Sequence, residues 1–336
     1  MAISCRVTRG DFTESIHVAF AVAVGNNGQI LFSSGDPHYL TCIRSSLKPF
    51  QAAASIKAGA VDSVKFSEEE IALMCASHQG EQIHTDTAFS MLQKLDLTIE
   101  DYECGVHAPS DKKTRYDLVL ANKSISPLHN NCSGKHAGML ALAKKIGKEV
   151  KGYTKKDHPV QKIINDYICE ISESQDIHYE IDGCSAPNFR CSLRGLAFAM
   201  YSLTDMERLG KIRGNSVKAI MRGIQNFPLL VAGNGRACSE LMMATDSPLV
   251  VKTGAEGVFV AVLPEKQIGV ALKVLDGSTR ASEAAIALIL VRLGMLNKDH
   301  PLVIKRLFCP IRNWSGNITG HVRPTNRFWD SGKKLI

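Results

Sequence analysis

The sequence lacks the features that mark secreted and membrane-spanning proteins. Its first residues, MAISCRVTRGDF, contain no apolar core of a secretory signal. No apolar run approaches the length of a membrane span, and EAAIALILVRLGML is both short and interrupted by Arg292. The ten cysteines form no C-x-x-C pair, and several lie in apolar runs. We therefore expect a cytoplasmic protein with reduced thiols and no membrane partner.

The sequence also lacks a concentrated basic region. Basic residues exceed acidic ones, 40 to 33, but they are scattered, and aromatic residues make up only 6% of the chain. Because no stripe interleaves the two, a nucleic-acid partner is disfavoured. Hydrophobic residues at 45% and charged residues at 22% are typical of a globular protein with a sizeable core.

Strand signals lie at both ends of the sequence, and helix signals fill the middle. Two β-rich runs flank the turn Gly25–Gly28, and three more follow Pro248, with a long apolar helix after them. In the middle, Ser67 and Glu70 have the spacing of a helix capping box and precede an apolar helix. The terminal strands are expected to meet in one sheet.

The predicted fold class is therefore α/β of the α+β type, in a single unit over residues 1–336. Its sheet subdomain covers about 1–45 and 228–336, and a largely helical subdomain covers about 46–227. No internal repeat and no Gly-, Ser- or Pro-rich linker separates independent domains.

The stretch RSSLKPFQ places a hydroxyl three residues before an amine. Ser45 and Lys48 would share one face of a helix. Pro49 is tolerated only near a helix start, so the stretch predicts a loop that enters a helix at about Ser45–Lys48. By itself the S-x-x-K motif is weak, because it often occurs by chance.

A second motif strengthens the first. VVKTG places Lys252 near the end of a predicted strand. An early S-x-x-K and a late K-[ST]-G are the pairing used by penicillin-recognising serine hydrolases. The predicted order of strands and helices permits the two motifs to meet, and chance coincidence is the alternative.

Two cysteines lie in polar turns. NNCSGKHAGML carries Cys132 and Lys135 three residues apart, and EIDGCSAPNF carries Cys184 beside Asp182. A thiolate is a strong zinc ligand, and His136 is the conventional ligand that lies closest in the chain. From spacing alone, the alternative is a pair of unrelated reduced cysteines.

The stretch CASHQGE brings a serine and a histidine to the end of an apolar helix. Ser77 and His78 suggest hydrolysis, but adjacent residues rarely point at one another. The alternative is a helix end with polar caps.

Together the five stretches RSSLKPFQ, ALMCASHQGE, NCSGKHAGML, DGCSAPNF and LVVKTGAEGVF resemble the zinc-binding, serine–lysine L-asparaginases of the rhizobial or thermolabile type. The resemblance spans roughly Arg9–Pro324 and is specific, because five unusual motifs coincide in order. It implies a fold similar to serine β-lactamases and glutaminases, and a homodimer. It also implies hydrolysis of L-asparagine to L-aspartate and ammonia.

Carried onto this sequence, the resemblance implies the catalytic residues Ser45, Lys48, Ser77 and Lys252. It implies a zinc ion held by Cys132, Lys135 and Cys184, with Asp182 orienting a bound water. Arg44 and His136 lie close to these motifs in the chain, and with Asp182 they are the candidate substrate-binding residues.

A serine hydroxyl needs a base, and lysine serves as one only when neutral. Lowering a lysine pKa to about 7 takes roughly 4–5 kcal/mol of bias against the ammonium form, which burial and a second amine supply. In the working mechanism Ser45 attacks the side-chain amide and Lys48 takes its proton. The alternative nucleophile is Ser77.

Three alternative functions stay open. A glutaminase differs by one methylene of substrate, a discrimination worth only about 1–3 kcal/mol. A penicillin-recognising acyl hydrolase lacks a convincing S-x-N element here and leaves Cys132 and Cys184 without a role. A non-catalytic zinc- or amino-acid-binding protein would not need two hydroxyls and two lysines in these motifs.

Overall fold

The computed structural model describes residues 2–172 and 178–325. These residues form two compact units. The first, the sheet unit, contains the chain up to Ser46, Arg190–Asp205, and the chain from Glu240 onward. The second, the helical unit, contains Leu47–Phe189 and Met206–Ser239.

The described residues contain eleven strands. In chain order they are β1 (Ile3–Arg9), β2 (Phe12–Val24), β3 (Ile30–Ser34), β4 (Leu40–Cys42), β5 (Tyr179–Ile181), β6 (Pro187–Ser192), β7 (Val250–Gly254), β8 (Val258–Leu263), β9 (Ile268–Val274), β10 (Cys309–Arg312) and β11 (Ile318–Pro324).

The described residues also contain thirteen α-helices. They are α1 (Lys48–Lys57), α2 (Ala60–Val64), α3 (Glu68–Met74), α4 (Gln82–Lys94), α5 (Lys112–Leu120), α6 (Ser133–Lys145), α7 (Pro159–Ser172), α8 (Leu193–Ser202), α9 (Met206–Asn226), α10 (Pro228–Val231), α11 (Ala237–Met242), α12 (Thr279–Arg292) and α13 (Pro301–Leu307). No helix of the described residues combines the length and apolar character needed to cross a bilayer.

The sheet unit is built on an antiparallel sheet that joins both ends of the chain. Its strand order is β10-β11-β1-β2-β9-β8-β7, and β3 pairs with β2 off this path. The predicted α/β fold, with a sheet of N- and C-terminal strands and a largely helical middle, is confirmed. The predicted hairpin around Gly25–Gly28 is the β2–β3 pair.

Helices cover the central strands of this sheet. β8 and β9 are buried at every residue because α8 and α12 pack against them, and Lys273 is the one charged residue in these two strands. α8 approaches β9 so closely that a Cβ atom on Gly269 would lie 2.1 Å from the carbonyl oxygen of Ala197. Only glycine permits that approach.

The helical unit is organised around α6. This helix packs against α1, α2, α3, α4 and α7, and every residue from Ser133 to Ala143 is buried. A helix that is buried on all sides lies at the centre of its unit. Cys132 immediately precedes it, so the start of α6 lies in the interior.

The predicted capping box at the start of α3 is confirmed. The Ser67 N–H donates to Glu70 Oε2 at 2.7 Å, and the Glu70 N–H donates to Ser67 Oγ at 3.4 Å. The helix ends at Met74, earlier than the predicted end near Ser77. The reason is that the Ser77 N–H donates to the carbonyl of Val231 at 2.9 Å, so the backbone has left the helix by then.

The close packing of α6 on α3 generates a stability prediction. Gly134 has an ordinary helical backbone, but a Cβ atom there would lie 2.2 Å from the Leu73 carbonyl oxygen. Alanine normally favours a helix over glycine, yet Gly134→Ala is expected to destabilise the protein by about 1–3 kcal/mol through overpacking. Urea denaturation measures the change.

Gly183→Ala is the matched control for this measurement. Gly183 lies in the same unit, and nothing lies within 4 Å of its added Cβ atom. Equal stabilities of the two variants would contradict the close approach of α3 and α6.

Candidate functional site

Lys48 is the first residue of α1, with Pro49 in the first turn as the sequence predicts. Its side chain is buried, with 1% of the residue exposed. The Nζ atom donates to the carbonyl of Ala76, to Ser77 Oγ at 3.0 Å and to the carbonyl of Asn131 at 3.1 Å. The structure thus brings Lys48 and Ser77, two of the predicted catalytic residues, into direct contact.

The surroundings of Lys48 favour its neutral form. Burial lowers its pKa, and the neighbouring charge of Lys135 acts in the same direction, while the thiols Cys132 and Cys184 oppose the shift. The net result is a pKa below the ordinary lysine value. A larger fraction of this amine is therefore available as a base than in an exposed lysine.

Ser45, Arg44 and Lys252 belong to the sheet unit. Ser45 is half-buried in a 3₁₀ turn, Arg44–Leu47, in which Arg44 adopts a left-handed backbone with φ of 51°. Lys252 lies on β7, has 1% of its surface exposed, and donates to the Thr253 carbonyl at 2.7 Å.

The segments that carry Ser45 and Lys252 meet within the sheet unit. A Cβ atom on Gly254 would lie 2.9 Å from the carbonyl oxygen of Ile43. Ile43 lies two residues before the predicted catalytic serine, and Gly254 two residues after the predicted catalytic lysine. Only a glycine at the end of the K-T-G strand permits the approach.

Cys132, Lys135 and Cys184 come together in the helical unit. Lys135 Nζ donates to Cys184 Sγ at 2.8 Å, and the thiol of Cys132 hydrogen-bonds to Cys184. Cys184 lies in the turn between β5 and β6, where Ser185 adopts a left-handed backbone and its N–H donates to the Asp182 carbonyl at 2.9 Å. We call these three side chains the thiol cluster.

Opposite charges balance in the thiol cluster. The hydrogen bond from Cys132 and the charge of Lys135 lower the pKa of Cys184, although burial opposes the shift. The hydrogen bond with Cys184 and burial raise the pKa of Cys132. Burial lowers the pKa of Lys135, but Cys184 and Cys132 outweigh it and raise the pKa above its ordinary value. These shifts favour a thiolate at Cys184, a thiol at Cys132 and an ammonium at Lys135.

The donor set of the thiol cluster fits zinc. Its two sulfurs are soft donors, and sulfur and nitrogen donors together are a set that zinc prefers over the oxygen sets of magnesium and calcium. Among the described residues, no group of three or more His, Cys, Asp and Glu side chains is arranged to hold a metal. Lys135 must therefore be the third ligand in this cluster, and it can bind zinc only after its ammonium group has lost a proton.

Asp182 and His136 lie near the thiol cluster. Asp182 is half-buried, and its charge helps to raise the pKa of Lys135. His136 is fully buried, and its Nδ1 hydrogen-bonds to the Tyr153 hydroxyl at 2.6 Å. Burial and the charge of Lys135 lower the pKa of His136 well below its ordinary value, so the ring is neutral. The contact of either residue with a substrate stays a prediction.

His78 and Ser133 are polar residues of this region that are not among the predicted site residues. His78 Nδ1 accepts the Gly80 N–H at 3.2 Å, so its proton lies on Nε2, which donates to Ser133 Oγ at 2.9 Å. A ring that donates to a hydroxyl is not its base, and Ser77 contacts Lys48 instead. The motif SHQG pointed to His78, but no local signal marks Ser133.

Asn130 fixes the turn that leads to Cys132. Its Nδ2 donates to the carbonyls of Cys104 and Gly105 at 2.9 and 3.0 Å, and its Oδ1 accepts the Cys132 N–H at 2.9 Å. One buried side chain therefore ties the start of α6 to a neighbouring loop.

A sequence profile of the L-asparaginase II family matches residues 5–324. The match covers nearly the whole chain, and the chain therefore belongs to the L-asparaginase II family. It is an amidohydrolase with a small-molecule amide as its substrate, and the predicted resemblance is confirmed at the level of the family. The zinc ion, the rhizobial type, the homodimer and the cytoplasmic location stay predictions.

Solved structures with a similar chain trace include β-lactamases. One from Mycobacterium bovis is 13% identical, and the alignment covers 83% of this chain and 95% of that one with a TM-score of 0.45. Another from Sphaerobacter thermophilus is 15% identical over 80% and 87% of the two chains, with a TM-score of 0.41. These TM-scores are low, so the family assignment rests on the sequence profile. No curated protein sequence matches the chain significantly.

Removal of the Asn130 side chain is expected to weaken the turn before α6. Asn130→Ala leaves the buried Cys104 carbonyl and the buried Cys132 N–H without their partner, and it should destabilise the protein by about 1–3 kcal/mol. Urea denaturation measures this change.

Asn226→Ala provides the comparison, because that side chain makes one exposed hydrogen bond to Glu68 Oε2 at 3.0 Å. Its effect should stay within about 0.5 kcal/mol. An equally small effect of Asn130→Ala would show that the turn holds without the amide.

Proposed function

We propose that the protein hydrolyses L-asparagine to L-aspartate and ammonia through a serine–lysine acyl-enzyme. The observation that carries this proposal is the contact between the buried Lys48 amine and Ser77 Oγ at 3.0 Å. A buried amine with a lowered pKa beside a serine hydroxyl is the arrangement that activates a weak nucleophile. Membership of the L-asparaginase II family supports the choice of substrate.

The three acceptors of Lys48 explain how it can work as a base. In the ammonium form, Nζ donates one proton to each of three oxygens. A neutral amine has two donors and one lone pair, and the carbonyls of Ala76 and Asn131 can only accept. The Ser77 hydroxyl is therefore the one partner of the three that can reverse its bond and donate to Nζ.

The proposed reaction has two stages. A serine oxygen attacks the side-chain amide carbon as Lys48 takes the serine proton, and the amide nitrogen leaves as ammonia after receiving a proton. Water then hydrolyses the ester and restores the serine hydroxyl. Ser45 is the proposed nucleophile because of its motif, and Ser77 and Lys252 are proposed to pass the proton to the leaving group. The contact with Lys48 makes Ser77 the competing nucleophile.

The charged groups of asparagine need partners. We propose that Arg44 pairs with the α-carboxylate and that Asp182 pairs with the α-amino group. Backbone N–H groups near Ser45 are the proposed donors to the oxyanion.

We infer that the thiol cluster holds zinc through Cys132, Lys135 and Cys184. Because Lys135 and Cys132 must lose protons, zinc binding exchanges two protons for one divalent ion and leaves the net charge of the cluster unchanged. When bound, zinc would supply a positive centre that helps to hold the substrate. The bond cleavage itself is assigned to the serine and lysine residues.

The first test is ammonia release from L-asparagine. We expect a fall in kcat of about 10³-fold or more for each of Ser45→Ala, Lys48→Met and Lys252→Met. The reason is that residues acting together in one reaction are each needed for it. Activity of the unaltered protein should rise from about pH 7 to about pH 9 as more of the lysine base form becomes available. L-Glutamine in the same assay measures the preference between the two amides.

Lys273→Met is the matched control for the lysine variants. Lys273 is a buried lysine on β9 whose Nζ donates to the Glu256 carbonyl at 2.6 Å. The Lys273→Met variant should keep nearly full activity. If Ser45→Ala keeps full activity and Ser77→Ala loses it, then Ser77 is the nucleophile. Full activity of Lys48→Met would overturn the serine–lysine mechanism.

The second test concerns zinc. Metal analysis is expected to find zinc in the unaltered protein and in Cys191→Ala, and to find none in Cys184→Ala, because Cys191 lies outside the thiol cluster. Removal of zinc with a chelator should raise KM about 10-fold or more and leave much of kcat. Complete loss of kcat with the fold intact would contradict the assigned role of the metal.

A further inference from the structure

Two separate stretches of chain provide the hydrogen-bond acceptors of the Lys48 amine. Ala76 and Ser77 supply two of its acceptors, and Asn131 supplies the third. Neither stretch belongs to an α-helix or a strand at these positions, because α3 ends at Met74 and α6 begins at Ser133. Something other than secondary structure must therefore hold the two stretches at the right separation.

One buried hydrogen bond joins these two stretches directly. His78 follows Ser77, and its Nε2–H donates to Oγ of Ser133, which lies two residues after Asn131. His78 is 2% exposed and Ser133 is fully buried. The bond therefore spans the same gap that the Lys48 amine spans, and it is shielded from competition with water.

The ring of His78 is itself held in place. Its Nδ1 accepts the Gly80 N–H at 3.2 Å, and its face stacks on His84 with ring centroids 4.7 Å apart and an interplanar angle of 10°. His84 is anchored in turn, because its Nε2 donates to the Leu229 carbonyl at 3.0 Å. The His78 ring is thus restrained at both nitrogens and on one face.

We propose that His78 is a positioning residue for Lys48. Its bond to Ser133 holds the two stretches at the separation that lets one amine reach all three acceptors. This inference rests on the proposed function, in which Lys48 is the base. A misplacement of about 1 Å at a reacting group can cost about 100-fold in rate.

The test compares kcat and KM for ammonia release from L-asparagine. His78→Leu and Ser133→Ala are each expected to lower kcat about 10- to 100-fold with little change in KM. The double variant should be no slower than the slower single variant, because both remove the same bond. His78→Gln keeps an N–H near the position of Nε2 and should restore most of kcat.

His84→Leu is the matched control. His84 is also buried and touches the same ring, but its Nε2 donates to the Leu229 carbonyl and not to the Ser133 stretch, and it is not assigned to the reaction. This variant should lower the melting temperature and reduce kcat far less than His78→Leu does, because the bond from His78 to Ser133 is kept. The proposal is wrong if His84→Leu loses as much kcat as His78→Leu, or if His78→Gln fails to restore it while folding normally.

Hydrogen exchange gives a second readout that needs no substrate. In His78→Leu, the amides of residues 131–136 should exchange about 10-fold faster or more than in the unaltered protein and in His84→Leu. If the unaltered protein releases no ammonia from asparagine, the proposed function fails, and this measurement still decides the inference. Unchanged exchange of 131–136 in His78→Leu would overturn it.

Discussion

The burial of one lysine amine is the constraint on which the helical unit depends. An amine with 1% exposure has lost its water and must find hydrogen bonds inside the protein. Lys48 finds them on two stretches that are far apart in the sequence. The chain must therefore leave α3 before Ser77 and enter α6 after Asn131. The carbonyls of Ala76 and Asn131 then lie outside these helices and can accept hydrogen bonds from the amine.

The packing of α6 supplies the rest of this arrangement. Because Gly134 lets α6 approach the end of α3 at Leu73, the first turn of the central helix lies beside the stretch that carries Ser77. The same first turn carries Lys135 and follows Cys132 directly. The N-terminal end of a helix favours negative charge, which suits the thiolate of the cluster. One close contact between two helices thus brings the serine–lysine contact and the thiol cluster into the same interior.

Local signals predicted much of the fold. Pro49 marked the start of α1, Ser67 and Glu70 marked the start of α3, and the turn Gly25–Gly28 marked a hairpin, because each acts on residues close in the chain. Five short motifs in order were enough to indicate the family. These features depend on spacing and on the chemistry of single residues, which a sequence displays directly.

Contacts between distant residues could not be predicted in the same way. The early end of α3 depends on a carbonyl at Val231, and the partner of His78 is a serine at position 133 that no motif distinguishes. The spacing of S-x-x-K suggested Ser45 as the partner of Lys48, whereas the observed contact of that amine in the helical unit is with Ser77. Such pairings depend on how the chain packs in three dimensions, and the spacing of residues in the sequence does not show this.

The Lys48 amine and the thiol cluster are not independent of each other, because Asn131 contacts both. Its carbonyl accepts from Lys48 at 3.1 Å, and its side-chain Oδ1 lies 3.0 Å from Cys132 Sγ. The charges of the cluster also reach the amine directly, since Cys132 and Cys184 raise the pKa of Lys48 and Lys135 lowers it. A change of charge in the cluster must therefore alter how readily Lys48 holds its proton. The protonation of the amine that contacts Ser77 therefore depends on the charges of Cys132, Lys135 and Cys184.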